Sequence, residues 1–206
     1  MINANIPKEW ESYVTQTNLG LEVVPAVLYD VLTYTSATTT NLRFFQQTNV
    51  ARDISNMKQA GMLSNPEAFL IQNISIFSRH NPWTQAATAS ATIQTGQFND
   101  LVLLSNTGIA TLKIGNKEYG PWPLWRLPSA TFVKGSIATG GATAANLVEQ
   151  YGQIDGPLYS LFPNLMISPL QSFDLTLSWP SGAVTLVAGN PPIEVLFDGQ
   201  LARSVQ

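Results

Sequence analysis

The sequence contains no cysteine and only one histidine, His80, in 206 residues. Without thiols there are no disulfides, thiolate nucleophiles, zinc ribbons or iron–sulfur clusters, and one imidazole rules out a multi-histidine metal site of the cupin kind. A chain of this length buries roughly 70% of the surface its unfolded form exposes, so it has no need of disulfides. Charge is scarce as well. Asp, Glu, Lys and Arg make up 11% of the residues, against about 25% in ordinary globular domains. The net charge of −3 argues against a partner held by phosphate neutralisation, and no cluster of Lys and Arg marks the N-terminal region. Long apolar runs are missing too: Val23 to Leu32 is interrupted by Pro25 and Asp30 and falls short of the roughly 20 residues a spanning helix needs. The first ten residues carry neither a basic region nor an apolar core, so a secretory signal is not expected.

What replaces charge is uncharged polarity. Hydrophobic content is an ordinary 45%, while Ser, Thr, Asn and Gln together approach a third of the chain. Disordered chains carry more charge and fewer aromatics, and free monomers keep more charge for solubility. Subunit interfaces, by contrast, are depleted in Lys, Glu and Asp. The composition therefore leans towards a folded β-protein packed against other subunits, a profile shared by lectin-like sandwiches.

Period-two patterning dominates. Phe173, Leu175, Leu177 and Trp179 alternate with polar residues, as do Ala110, Leu112 and Ile114 ahead of a Gly115-Asn116 turn. Ile193, Val195 and Phe197 repeat the pattern, and Val184, Leu186 and Ala188 suggest a short strand. Further strands are expected at Leu21–Tyr34, Asn41–Gln47, Ala68–Phe77, Ala89–Thr95, Leu101–Ser105 and Ala130–Val133. Helical signals are short: Ala144–Tyr151 closed by Gly152, Pro7–Val14, and Ile54–Ala60 closed by Gly61. The expected fold is all-β, a single antiparallel jelly-roll sandwich of eight strands or slightly more with one to three short helices. It spans residues 21–206 after an N-terminal arm of residues 1–20, with Gly135–Ala145 as a long surface loop. A chain ending just after a strand, without a charged tail, suggests a last strand pinned in a sheet.

Three segments carry a likeness. They are Met57-Lys-Gln-Ala-Gly61-Met-Leu63-Ser-Asn-Pro66-Glu-Ala-Phe69-Leu-Ile71 with the strand through Phe77, Ile114–Tyr119 continuing to Leu127-Pro128, and Ile193 to Gln206. Together they resemble jelly-roll capsid proteins of icosahedral tailless bacteriophages, some of which enclose a membrane. The likeness rests on strand-and-turn patterns. It implies a single-jelly-roll capsid subunit of the virion, assembled in the host cytoplasm as trimers or higher capsomers. The implied partners are further copies, other capsid proteins and an underlying viral membrane, with no sequence-specific nucleic-acid contact. It implies no catalytic residues, metal or cofactor. On the residues themselves, Gly61 and Gly199 read as points where the chain leaves one element for the next.

Candidates for chemistry are few. Any Ser–His–Asp triad must use His80, which lies in a turn-like Ser78-Arg-His-Asn-Pro-Trp83, and no Gly-x-Ser-x-Gly elbow exists. Asp174 and Glu194 alternate with apolar strand residues and form the best carboxylate pair for a jelly-roll glycoside hydrolase, if both face one cleft. Asn99-Asp100 with Asn106 is a thin oxygen cluster without a calcium-loop pattern. The most distinctive stretch is Tyr119-Gly-Pro-Trp122-Pro-Leu-Trp125-Arg126-Leu-Pro128. Its prolines hold it off a central strand, and Trp and Arg are the types enriched at interface hot spots. Trp122, Trp125 and Arg126 are thus the candidate subunit-contact residues. The alternatives are a sugar-stacking platform on a carbohydrate- or receptor-binding module, and tryptophans that merely cap the sandwich core.

Overall fold

The computed structural model describes residues 10, 21–48, 50–78, 100–127, 132–137, 148–153, 159–187 and 189–204. Ten strands run in chain order: β1 (Leu21–Thr33), β2 (Asn41–Phe44), β3 (Ala68–Ser78), β4 (Ile109–Ile114), β5 (Lys117–Pro123), β6 (Phe132–Ile137), β7 (Val148–Gln153), β8 (Tyr159–Ile167), β9 (Phe173–Ser178) and β10 (Pro192–Ser204). Eight of them form two four-stranded antiparallel sheets, ordered β1-β10-β3-β8 and β2-β9-β4-β5, while β6 and β7 pair with each other. A helix, α1, covers residues 100–107. No helix among the described residues is long and apolar enough to cross a membrane.

Alternation builds the core. Phe173, Leu175 and Leu177 of β9 and Ala110, Leu112 and Ile114 of β4 are buried against Leu28, Phe69, Ile71, Ile74, Val195 and Phe197 of the other sheet. The result is an all-β sandwich in which β4, β9 and β10 give alternate side chains to the space between the sheets. The rings of Phe45 and Phe197 bridge that space with centroids 4.5 Å apart. A second, smaller cluster lies on the outer face of the first sheet. There the fully buried Trp10 packs on Ala68, Leu70 and Ala202, and its indole N–H donates to Gln200 Oε1 at 2.7 Å.

The strands expected at Leu21–Tyr34, Ala68–Phe77 and around Phe173, Ala110 and Ile193 are present, and the last one extends to Ser204 between β1 and β3. Several expectations are corrected. Residues 101–105 are helical rather than extended: a run of Leu-Val-Leu-Leu has no period of its own, and Gly108 ends the helix by donating its N–H to the Leu104 carbonyl. Residues 148–151 belong to β7, where β6 offers a ladder that a solitary helix would lack; residues 144–147 lie outside the described residues. Ile54–Ala60 is a turn followed by bridges at Ser55 and Gln59, because Ser55 and Asn56 are engaged with β1. β2 stops at Phe44, since Phe45 adopts φ +66°. Residues 183–187 form a loop, although Leu186 is buried. Gly61 does stand in a turn, at φ +61°. Gly199 instead sits inside β10 at a β-bulge, where an added Cβ would lie 1.9 Å from the Leu70 carbonyl oxygen. Trp10 is helical; the remainder of the expected Pro7–Val14 helix, and Ala89–Thr95, fall outside the described residues.

The strand directions gather the connections at two ends. Segment 34–40, α1, the 3-10 turn after β5 and residues 179–187 and 189–191 share one end, which is held together by backbone bonds such as Tyr34 N–H to Pro191 O and Ala37 N–H to Val184 O, both 2.9 Å.

A candidate interaction surface at one end of the sandwich

Pro121 falls at the register shift of the β4–β5 ladder, the ladder ends with Pro123 opposite Ile109, and the chain then closes one 3-10 turn at Leu124–Arg126. With three residues per turn, positions i and i+3 share a side. Leu124 and Leu127 take the inward side, 8% and 2% exposed, so Trp125 and Arg126 between them are turned outward. Trp125 is 61% exposed. Trp122 behaves differently: it lies on β5 opposite Ala110 and packs, half-buried, against the sandwich core. Of the three candidate contact residues, two face solvent and one completes the core.

The turn is bound to its neighbours. Leu124 N–H donates to the Gly108 carbonyl at 3.0 Å, and a Cβ at Gly108 would stand 2.9 Å from the backbone oxygen of Leu104, so glycine favours this close approach. The indole N–H of Trp179 donates to Leu104 O at 3.2 Å, tying α1 to the end of β9. Trp179 itself is held edge-on by Tyr34, with centroids 4.6 Å apart. Asp100, at the start of α1, accepts the Val187 N–H at 2.9 Å.

These bonded elements present apolar side chains to solvent. Six large hydrophobic residues are exposed among the described residues, and four of them, Val102, Leu103, Trp125 and Val187, stand at this one end. Leu170 lies at the other end and Val27 on β1. Clustering on a rigid framework, rather than single exposed apolar residues, is what marks an interaction surface. Sequence reasoning named Trp125 and Arg126 by residue type. It missed Val102, Leu103 and Val187, whose exposure depends on the helix and loop that replace the expected strands.

The remaining candidates do not assemble into a site. Asp174 is on the outer face of β9, where it accepts from Arg43 Nη2 at 2.7 Å and from Thr176 Oγ1 at 3.1 Å. The bond to Asp174 raises the Arg43 pKa further. Glu194 is on the outer face of β10, in register between Val31 and Phe77. Since Phe173, Leu175, Ile193 and Val195 all point into the shared core, the two carboxylates stand on opposite faces of the sandwich and share no cleft. His80 and Asn99 fall outside the described residues, and the Asp100 carboxylate is engaged with Val187. Among the described residues, no group of three or more His, Cys, Asp or Glu side chains is placed to hold a metal ion.

No family model, no curated protein and no solved structure matches this chain.

Proposed function

We propose that the chain is a single-jelly-roll capsid subunit of a tailless icosahedral bacteriophage, whose role is geometric rather than catalytic. The observation that carries this reading is the strand order. With the β6–β7 hairpin set aside and the other eight strands renumbered in sequence, the sheets read 1-8-3-6 and 2-7-4-5. That is the order produced when two Greek keys wrap into a jelly roll. The likeness of the Met57–Phe77, Ile114–Pro128 and Ile193–Gln206 segments to phage capsid proteins supports it from the sequence.

The surface supports it from chemistry. An end carrying Val102, Leu103, Trp125 and Val187 on bonded elements, in a chain with 11% charged residues, desolvates at low cost when subunits meet. Many modest contacts of this kind add up in a closed symmetric assembly. Other capsid proteins and an underlying viral membrane are the partners this reading assigns.

Light scattering on the purified protein over a range of concentration and ionic strength tests the reading. A trimer or larger capsomer that grows into particles is the expected result. A strict monomer at every concentration overturns it. A monomer that also binds glycans would put the carbohydrate-binding module first, with the exposed indole of Trp125 as its stacking surface.

A further inference from the structure

The two sheets have four edge strands, and three are blunted in recognisable ways. β2 has four residues, β5 carries Pro121 and Pro123 beside Lys117 and Glu118, and β8 is broken by Pro163. Short length, charge and proline are the usual protections against strand addition. β1 is different: it has 13 residues, and its edge divides into two halves.

At Val27–Val31 the residues Gln47, Ser55 and Asn56 take the place of a neighbouring strand. Asn56 donates its side-chain amide to Val27 O at 2.7 Å and accepts the Tyr29 N–H at 3.0 Å. Ser55 Oγ donates to Tyr29 O at 3.2 Å. The Val31 N–H donates to Asp30 Oδ1 at 3.1 Å, and Gln47 Nε2 donates to Val31 O at 3.0 Å. Tyr29 and Val31 thus direct their peptide groups away from β10. By the alternation of an antiparallel ladder, Leu21, Val23 and Pro25 do the same. At these three residues no described residue supplies a partner strand. Pro25 sits at an outward position, where its missing N–H removes no bond to β10.

We propose that the Leu21–Pro25 edge of β1 pairs with the same edge of a second copy of the chain, antiparallel about a twofold axis at Val23. The pair forms two bonds between the Val23 N–H and C=O groups, and two from Leu21 N–H to the Pro25 carbonyl. Three features favour a second copy over a foreign strand. A longer strand would run past Pro25 into the stretch that Asn56 occupies, whereas a twofold pair needs only five residues a side. Glu22, the one charged residue in Leu21–Val27, is bonded by Arg203 of its own chain at 2.6 Å, so two acidic chains meet without facing bare carboxylates. Leu21 and Val23 already rest against the Trp10 cluster, and the axis joins the two clusters into one apolar surface. Such a contact is isologous and closes on itself.

Two substitutions at one position test this. Val23→Pro removes the outward N–H while leaving every bond to β10, and the extended Glu22 before it tolerates proline. Val23→Ala trims the same side chain and keeps the N–H. Circular dichroism checks that both fold, and sedimentation measures their dimer constants against the wild type. Val23→Pro is expected to weaken the dimer about ten- to hundredfold, as for two lost backbone bonds, with Val23→Ala close to wild type. In the wild type, exchange of the Val23 amide should slow as concentration rises. Equal dimerisation by folded Val23→Pro, or Val23 exchange independent of concentration, overturns the proposal. The contact stands apart from the capsid reading. Particles without a Val23-dependent dimer would overturn the contact alone, and such a dimer that never grows would overturn the capsid reading alone.

Discussion

The Asp30 carboxylate accepts the backbone N–H of Phe45 at 2.5 Å, joining the middle of β1 to the residue that ends β2. Phe45 is in the left-handed region, at φ +66°, where a bulky residue persists only if its surroundings hold it. Its ring is fully buried between Phe173 and Phe197, and its carbonyl accepts the Gly61 N–H at 2.6 Å. Asp30 also accepts from Val31 N–H and Gln47 Nε2, so several donors converge on its two oxygens. An asparagine offers one acceptor oxygen and turns an amide N–H towards a donor. Asp30→Asn is therefore expected to lower stability by about 1–3 kcal/mol, measured by denaturant unfolding at neutral pH. An unchanged midpoint would show that Asp30 is not the clasp.

Burial raises the Asp30 pKa above its ordinary 3.8 despite the hydrogen bonds that oppose it, and burial alone raises that of Asp198. A carboxyl whose folded pKa exceeds its unfolded value binds protons more tightly in the native state. Its contribution to stability is complete below about 3.8 and is lost as pH rises through the folded value. Asp198 differs from Asp30 in that, among the described residues, no hydrogen bond opposes the burial. Asp198→Asn is thus expected to raise the unfolding midpoint at pH 7 and to change it little at pH 3.5. Equal shifts at both pH values would exclude desolvation of Asp198 as the cause.

Gly199 interrupts the β10–β3 register, and a methyl group there would meet the Leu70 backbone rather than a movable side chain. Gly199→Ala is expected to cost about 3 kcal/mol, the upper part of the range for overpacking. Gly182, which has open space around its missing Cβ, has no such steric contact, although its φ of +107° still disfavours a side chain. Thermal unfolding of the two alanine variants separates crowding from backbone strain. A loss at Gly199 no larger than at Gly182 would show that the bulge relaxes.

The strands legible in the sequence were those with one face in the core, because burial writes a period of two directly into the residues. Phe173–Ser178 and Ile109–Ile114 are the clearest cases. The segment after Phe45 was not legible. Ile54–Ala60 closed by Gly61 reads as a short helix, but Ser55 and Asn56 bond instead to Tyr29 and Val27, partners 26 and 29 residues away. Helix α1 was hidden for a related reason, since Trp179 anchors it from 75 residues away. The candidate surface was therefore half legible. Proline chemistry and residue type pointed to Trp125 and Arg126, while Val102, Leu103 and Val187 join them only through contacts between distant segments.

Trp125 separates association from folding most cleanly. Its ring is 61% exposed, and its neighbours Leu124 and Leu127 supply the buried contacts of the 3-10 turn. Removing an exposed side chain that caps no bond changes stability by about 0.5 kcal/mol or less. Removing an aromatic anchor from the centre of an interface costs about 2 kcal/mol or more at every copy. Trp125→Ala is accordingly expected to keep the wild-type unfolding midpoint while capsomers require at least about thirtyfold more protein to form, the conversion of that contact energy. Trp122→Ala should do the opposite, because its ring packs on the sandwich core: stability falls in the monomer, and association suffers only through it. Light scattering and denaturant unfolding on the two variants read both quantities. Undiminished assembly by Trp125→Ala at matched protein concentration would remove this end of the sandwich from the contact surface, whatever the fate of the Val23 edge.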